Sequence, residues 1–131
     1  MRGEARRWLS EALWNLETAT ILYRERRWNA AASTLIKPLR RLLRCFLLSI
    51  NEAGWGHSVR ILLERYFESV GERREDLLMY ARELDRHHIP SRYPKAHPAG
   101  TPHEAYDEPT ARRALEAARR ILDYVRERIR E

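Results

Sequence analysis

Histidines and arginines crowd the stretch Leu84–Tyr106, LDRHHIPSRYPKAHPAGTPHEAY, which also carries prolines at 90, 94, 98 and 102. An imidazole can move a proton from a ribose 2′-hydroxyl, and a guanidinium can stabilise the charge that develops on a phosphorane. Three pairs with the right residue types lie here, each separated by four or five residues: Arg82–His87, Arg82–His88 and Arg92–His97. The chain has 23 arginines (25 basic residues less Lys37 and Lys95) and five histidines in 131 residues. Chance alone then supplies about 2.6 Arg–His pairs separated by four to six residues, so the spacing by itself makes these five residues weak catalytic candidates.

Metal binding is the other chemistry histidines offer. His87 and His88 are adjacent, so on a helix they point about 100° apart and do not chelate one ion simply. His97 and His103 fall in a loop near Glu104 and Asp107. Solvated or hydrogen-bonded imidazoles are the preferred reading, and no metal and no cofactor are expected. Arg92 and Tyr93 read first as loop architecture: a guanidinium can hold several carbonyls, and a tyrosine ring can pack while its hydroxyl finds a partner. Direct ligand contact by Arg92 stays open. Tyr93, Pro94, Gly100 and Pro102 are expected to shape the loop, the prolines by limiting its freedom.

The net charge of +6 has one source. Residues 26–51 carry Arg26, Arg27, Lys37, Arg40, Arg41 and Arg44 and no acid, while the segments on either side balance. The spacing of Lys37, Arg40, Arg41 and Arg44 puts them on one helix face, opposite Leu39, Leu43, Phe46 and Ile50. Four cations in two turns repel unless something negative meets them. That is either a nucleotide phosphate, an RNA backbone or an acidic partner, or else carboxylates such as Glu11 and Glu17 crossing over in the fold.

Helices must position these groups, because no stretch alternates long enough to be a strand. The first helix spans about 4–26, with Trp8, Ala12, Leu16, Ala19 and Tyr23 inward and Trp14 and Ile21 a heptad apart on another side. The second spans about 28–53, with Pro38 kinking it or dividing it into two. The third, 58–70, has Val59, Leu62, Leu63, Tyr66, Phe67 and Val70 inward and Gly71 as its C-cap. The fourth, 73–88, stops at Pro90. A loop over 89–108 precedes the fifth, which starts at Pro109 in its first turn. The chain therefore reads as one domain, 1–131: an all-α, five-helix, up-and-down antiparallel bundle with an ordered proline-rich loop before the last helix.

No apolar run approaches the roughly 20 residues of a membrane span, and MRGEARRWLSEALW lacks the apolar core of a signal peptide. A cytoplasmic protein is expected. Cys45, the only cysteine, sits in an apolar row as buried filler. Abundant charge with no glutamine suits a thermophile, and equally a GC-rich genome.

The segments Leu84–Arg86, Ile89–Pro94 (Ile-Pro-x-Arg-Tyr-Pro), Gly100–Pro102 and the alanine-rich Ala111–Val125, with HSVRILLE at His57–Glu64, resemble HEPN domains (higher eukaryotes and prokaryotes nucleotide-binding). The resemblance covers nearly the whole chain. It implies a helical bundle, frequently a homodimer, often paired with a minimal nucleotidyltransferase in a two-part, toxin–antitoxin-like system. Other branches are metal-independent endoribonuclease toxins using an Arg/His pair across a dimer. The chain departs from the family pattern at IKPLRR (36–41), where an acidic position becomes Arg40 and a proline enters, and at His87 and His88, which replace two aromatic residues. The expectation is a non-catalytic subunit binding a nucleotide or a partner through Lys37, Arg40, Arg41, Arg44 and Arg92. The alternatives are the endoribonuclease and a basic helical module that binds nucleic acid without chemistry.

Overall fold

The computed structural model describes residues 2–130, with the side chains of Arg2 and Arg130 excepted. Helices α1 (Arg2–Arg24), α2 (Trp28–Thr34), α3 (Ile36–Leu48), α4 (Val59–Val70), α5 (Glu75–Asp85) and α7 (Glu108–Arg130) are joined by turns, with a one-turn helix α6 (Pro102–Ala105). No strand occurs among the described residues. The helices pack in a closed ring of neighbours: α1 on α3, α3 on α4, α4 on α5, α5 on α7, and α7 back on α1. Helix α2 lies across α1 and α7. This is the expected all-helical bundle, with two helices more: the second is divided, and the short α6 lies in the segment before the last.

Pro38 explains the division. It has no N–H for the Thr34 carbonyl, and in a continuous helix its ring would strike that carbonyl. The chain breaks at Leu35 instead, and Pro38 sits in the first turn of α3, where donors need no intrahelical acceptor. Helix α3 also ends at Leu48 rather than near Ala53. Asn51 turns left-handed (φ +62°) and Glu52 N–H returns to the Leu47 carbonyl at 2.9 Å. The fourth helix is shorter than expected as well, since the backbone passes into successive turns from Arg86 to Arg92.

Three alanines of α1, Ala5, Ala12 and Ala19, recur every seven residues and are all buried. Small side chains on this face let α1 approach α3 and α7 closely, while Trp8, Leu16 and Tyr23 pack at its margins. The interior is filled by Leu39, Leu42, Leu43 and Leu47 of α3, Leu62, Leu63 and Phe67 of α4, Leu78 and Leu84 of α5, and Ile121 and Leu122 of α7. Val70, expected inward, lies in the last turn of α4 and is exposed. Cys45 is half-buried, and burial pushes its thiol pKa up. Gly71 caps α4 in the left-handed conformation as expected.

The segment between α5 and α7 carries a 3-10 turn at Pro94–Ala96 and the one-turn α6, where the Glu104 carboxylate accepts from the N–H and hydroxyl of Thr101. Its contact with the bundle runs through a buried chain. His87, 4% exposed, has Nδ1 2.6 Å from the Tyr106 hydroxyl and Nε2 2.7 Å from Glu83. Asn29 of α2 donates to the Ser91 carbonyl at 3.2 Å. Pro102 is buried, whereas Tyr93, Pro94 and Gly100 are exposed. The cations of Arg92 and Lys95 lie over the Tyr93 ring.

Burial pushes the Tyr106 hydroxyl up to about 12. Burial likewise holds His87 below the ordinary imidazole value of 6.5, against the pull of Glu83. Below that value the unfolded chain binds a proton that folded His87 resists. The stability present above it is therefore lost as pH falls toward the depressed folded value. His88 acts in the same direction. The melting temperature is expected to drop between about pH 7 and about pH 5, and less steeply in His87→Asn. Tyr106→Phe, measured by chemical denaturation at neutral pH, is expected to cost about 1–3 kcal/mol by leaving a buried imidazole nitrogen unpaired.

Candidate anion-binding site

Asp85 ends α5 and reaches the start of α4. Its Oδ1 accepts from Val59 N–H at 2.7 Å, and its Oδ2 from the Ser58 hydroxyl at 2.7 Å and Arg60 N–H at 3.2 Å. Ser58 in turn accepts from Ile61 N–H at 3.1 Å, as an N-cap. A carboxylate here also opposes the positive end of the helix dipole. His57 precedes Ser58 by one residue and His88 follows Asp85 by three. The cap therefore sets the two imidazoles side by side, with centroids 6.2 Å apart and planes 14° from parallel.

Helix α3 sends two guanidiniums into this pair. Arg44 donates from Nε and Nη2 to the Gly56 carbonyl at 3.0 and 2.5 Å. A Cβ on Gly54 would stand 2.6 Å from the Arg44 carbonyl oxygen, so only glycine lets the connection after α3 lie against the helix. Gly56, at φ +101°, then turns it in a conformation that L side chains rarely adopt. Arg40 Nη1 lies 3.2 Å from His57 Nδ1 and 3.5 Å from His88 Nε2. Arg92 enters from the other side, with Nε donating to the His88 carbonyl and Nη2 3.1 Å from His88 Nδ1.

These contacts leave the cluster short of acceptors. His57 Nδ1 is approached by Arg40 Nη1 and Arg44 Nη2 together, each at 3.2 Å. His88 meets a guanidinium at both ring nitrogens, yet a neutral imidazole has one acceptor nitrogen and a guanidinium has none. One of those contacts therefore sets donor against donor. Arg40 is only 9% exposed, and its Nε is buried with no partner. No ion pair joins a carboxylate to Lys37, Arg40, Arg41, Arg44 or Arg92 among the described residues. Glu11, one of the acids able in principle to cross over, is engaged by Asn15.

The electrostatics follow. Burial, then the charges of Arg44, Arg92 and Arg41, push Arg40 below its ordinary value, and Asp85 opposes them. Burial, Arg40, Arg92 and His57 likewise hold His88 below 6.5. His88, held toward its neutral form and flanked by cations with surplus N–H donors, is an arrangement complementary to an oxyanion.

The sequence-derived candidates divide. Arg40, Arg44 and Arg92 converge with His88. Lys37 is exposed, and Arg41 turns to the other side, its guanidinium 5.3 Å from the Trp8 ring centre. Arg40, placed by the helical pattern opposite the apolar row, is nevertheless buried. Arg92 meets His88 rather than His97, whose Nε2 lies 2.8 Å from the Pro90 carbonyl oxygen. His87 is in the Tyr106 chain, and Arg82 borders a separate cleft between α5 and α7. His57 and Asp85 were not singled out in the sequence as site residues. Their only signal was membership in the HSV and Leu-Asp-Arg elements. No group of three or more His, Cys, Asp or Glu is placed to hold a metal ion among the described residues.

A buried cation among cations lowers stability, whereas a structural arginine raises it. Arg40→Met is therefore expected to leave the unliganded protein as stable as the parent or more stable by about 1–2 kcal/mol. Addition of pyrophosphate is expected to raise the melting temperature of the parent but not of the variant. Thermal denaturation with and without the anion checks both.

Residues 5–128 match the family model described as the HEPN domain. The crystal structure of TT1696 from Thermus thermophilus is similar, with a TM-score of 0.85 and 35% identity over 95% of this chain and 97% of that one. So is ST0689, described as an archaeal HEPN homologue, with a TM-score of 0.76 and 28% identity over 96% of this chain and 98% of that one. No curated protein matches.

Proposed function

Because the chain belongs to the HEPN domain family, we propose that it is a cytoplasmic, non-catalytic subunit that binds the phosphates of a nucleotide or RNA at Arg40, Arg44 and Arg92. One observation carries this reading: three guanidiniums meet around two imidazoles with donors in excess, including the buried, unpartnered Nε of Arg40. The sequence resemblance supports it. Where the family pattern has an acid in the second helix this chain has Arg40, and where it has an aromatic residue this chain has His88. Both replacements lie in the cluster and add no negative charge to it, which supports a ligand as the source of the counter-charge. Its partner, in this reading, is a minimal nucleotidyltransferase in a two-part, toxin–antitoxin-like system, supported by family membership.

A specific observation keeps the endoribonuclease alternative in view. His88 is held toward its neutral form between two guanidiniums, the state of a general base beside groups that stabilise phosphorane charge. One experiment separates the readings. Binding of a labelled nucleotide and of short RNA is titrated from about 50 to about 500 mM salt, where phosphate contacts release counterions and affinity falls steeply. Arg44→Glu with Arg92→Glu is expected to abolish binding with the fold retained, and the RNA is expected to emerge intact. Cleavage lost in His57→Ala or His88→Ala would transfer the site to the ribonuclease, and no binding at low salt would remove the phosphate reading.

A homodimer is part of the proposal, supported by the family and by Trp14 and Ile21, which stand 67% and 58% exposed one heptad apart on α1. Light scattering is expected to give the mass of two chains, reduced to one in Trp14→Glu with Ile21→Glu. A monomeric parent protein would dismiss it. No helix among the described residues is long and apolar enough to cross a membrane.

A further inference from the structure

Trp55 is 67% exposed and lies next to Gly56, whose carbonyl Arg44 holds. Its ring is not loose. The Arg65 guanidinium sits 4.0 Å from the ring centre, and Arg65 Nη1 donates to the Trp55 carbonyl at 2.5 Å. One arginine thus fixes both the backbone and one face of the indole. Stacking on a guanidinium is favourable, but it covers a single face and leaves the ring mostly in solvent. The connection after α3 consequently presents two recognition elements in close succession. Trp55 offers a flat aromatic surface, and His57, two Cα steps or about 8 Å of chain further on, belongs to the anion cluster.

An oxyanion receptor alone would suit any phosphate. A braced aromatic ring on the same connection, two residues before His57, suits a phosphate that carries a planar ring. We propose that Trp55 is a stacking platform for an unpaired nucleobase, with Arg65 as the residue that positions it, and that the phosphate of the same nucleotide unit enters the Arg40–Arg44–Arg92 cluster. This rests on the phosphate reading above and adds the base. The ligand class is a nucleotide with its base unpaired, because a base inside a duplex has both faces occupied. A free mononucleotide and one unit of a single strand share this chemistry. Stacking tolerates any base, so recognition here is of ring and phosphate together rather than of sequence.

The test compares four probes on the full chain: pyrophosphate, AMP, a short single-stranded RNA and a blunt RNA duplex. Binding is followed by calorimetry in the parent protein, Trp55→Ala and Trp55→Phe. We expect Trp55→Ala to lose about tenfold or more in affinity for AMP and for the single strand, with pyrophosphate and duplex affinities unchanged and Trp55→Phe close to the parent. A tighter single strand than AMP identifies RNA as the source, and the reverse identifies the free nucleotide. Arg65→Ala is expected to reproduce part of the Trp55→Ala loss, and Arg65→Lys to restore part of it. Equal AMP affinity in the parent and Trp55→Ala overturns the platform, and a changed oligomeric mass in that variant would then assign the ring to a second copy. If the parent binds AMP and the single strand no tighter than pyrophosphate, the base is not read. If it does not bind even pyrophosphate, the failure lies in the arginine cluster, and the platform falls with it.

Discussion

The carboxylate of Asp85 ties together parts of the chain that otherwise have no reason to meet. By capping α4 from the end of α5 it satisfies the first N–H groups of one helix with the last side chain of another. The geometry is demanding, because a charged acceptor with three donors within 3.2 Å fixes both helix ends at once. His57 and His88 stand beside each other because of it. The Ser58 and Asp85 positions fall in two of the sequence elements that resemble the family pattern, and in the fold those two elements are one structure.

The same contacts decide the charge of the site. Asp85 lies close enough to act on Arg40 and His88, yet both its oxygens are taken by α4. Arg40 therefore feels an acid that it does not bond. A cluster of cations held by backbone carbonyls and imidazoles persists because the packing of α3 against α4 over-determines it. Arg40 is itself buried in that packing, as are Leu39 and Leu43 of the same helix. A mutation there trades stability against binding.

A second buried network performs a different task. His87 sits next to His88 in sequence but turns inward, to Tyr106 and Glu83, and holds the approach to α7 against α5. Adjacent histidines thus serve unrelated ends. One is half-buried among guanidiniums, and the other is an interior hydrogen-bonded group that burial holds toward its neutral form. Tyr106 and Pro102 bury the end of the intervening segment, leaving its tip around Tyr93 in solvent.

What the sequence by itself determined were the local features: helical periodicity with alanines and leucines inward, the interruption at Pro38, the stop at Gly71, the start at Pro109, and a charge excess confined to residues 26–51. Each depends on interactions within about four residues, which a linear pattern records. It also carried the family resemblance. Only the tertiary structure decided which arginines matter. Residues 40, 44, 57, 88 and 92 come together from three regions of the chain, and no periodicity encodes a contact between residues 48 apart. The helical pattern placed Arg40 opposite the apolar row, yet Arg40 is buried by elements the pattern could not locate. His57 stood alone in sequence and gained its role from a cap formed 27 residues away. The reason is physical: helix formation is set locally, whereas the sign, burial and partners of a charged side chain are set by what the fold brings to meet it.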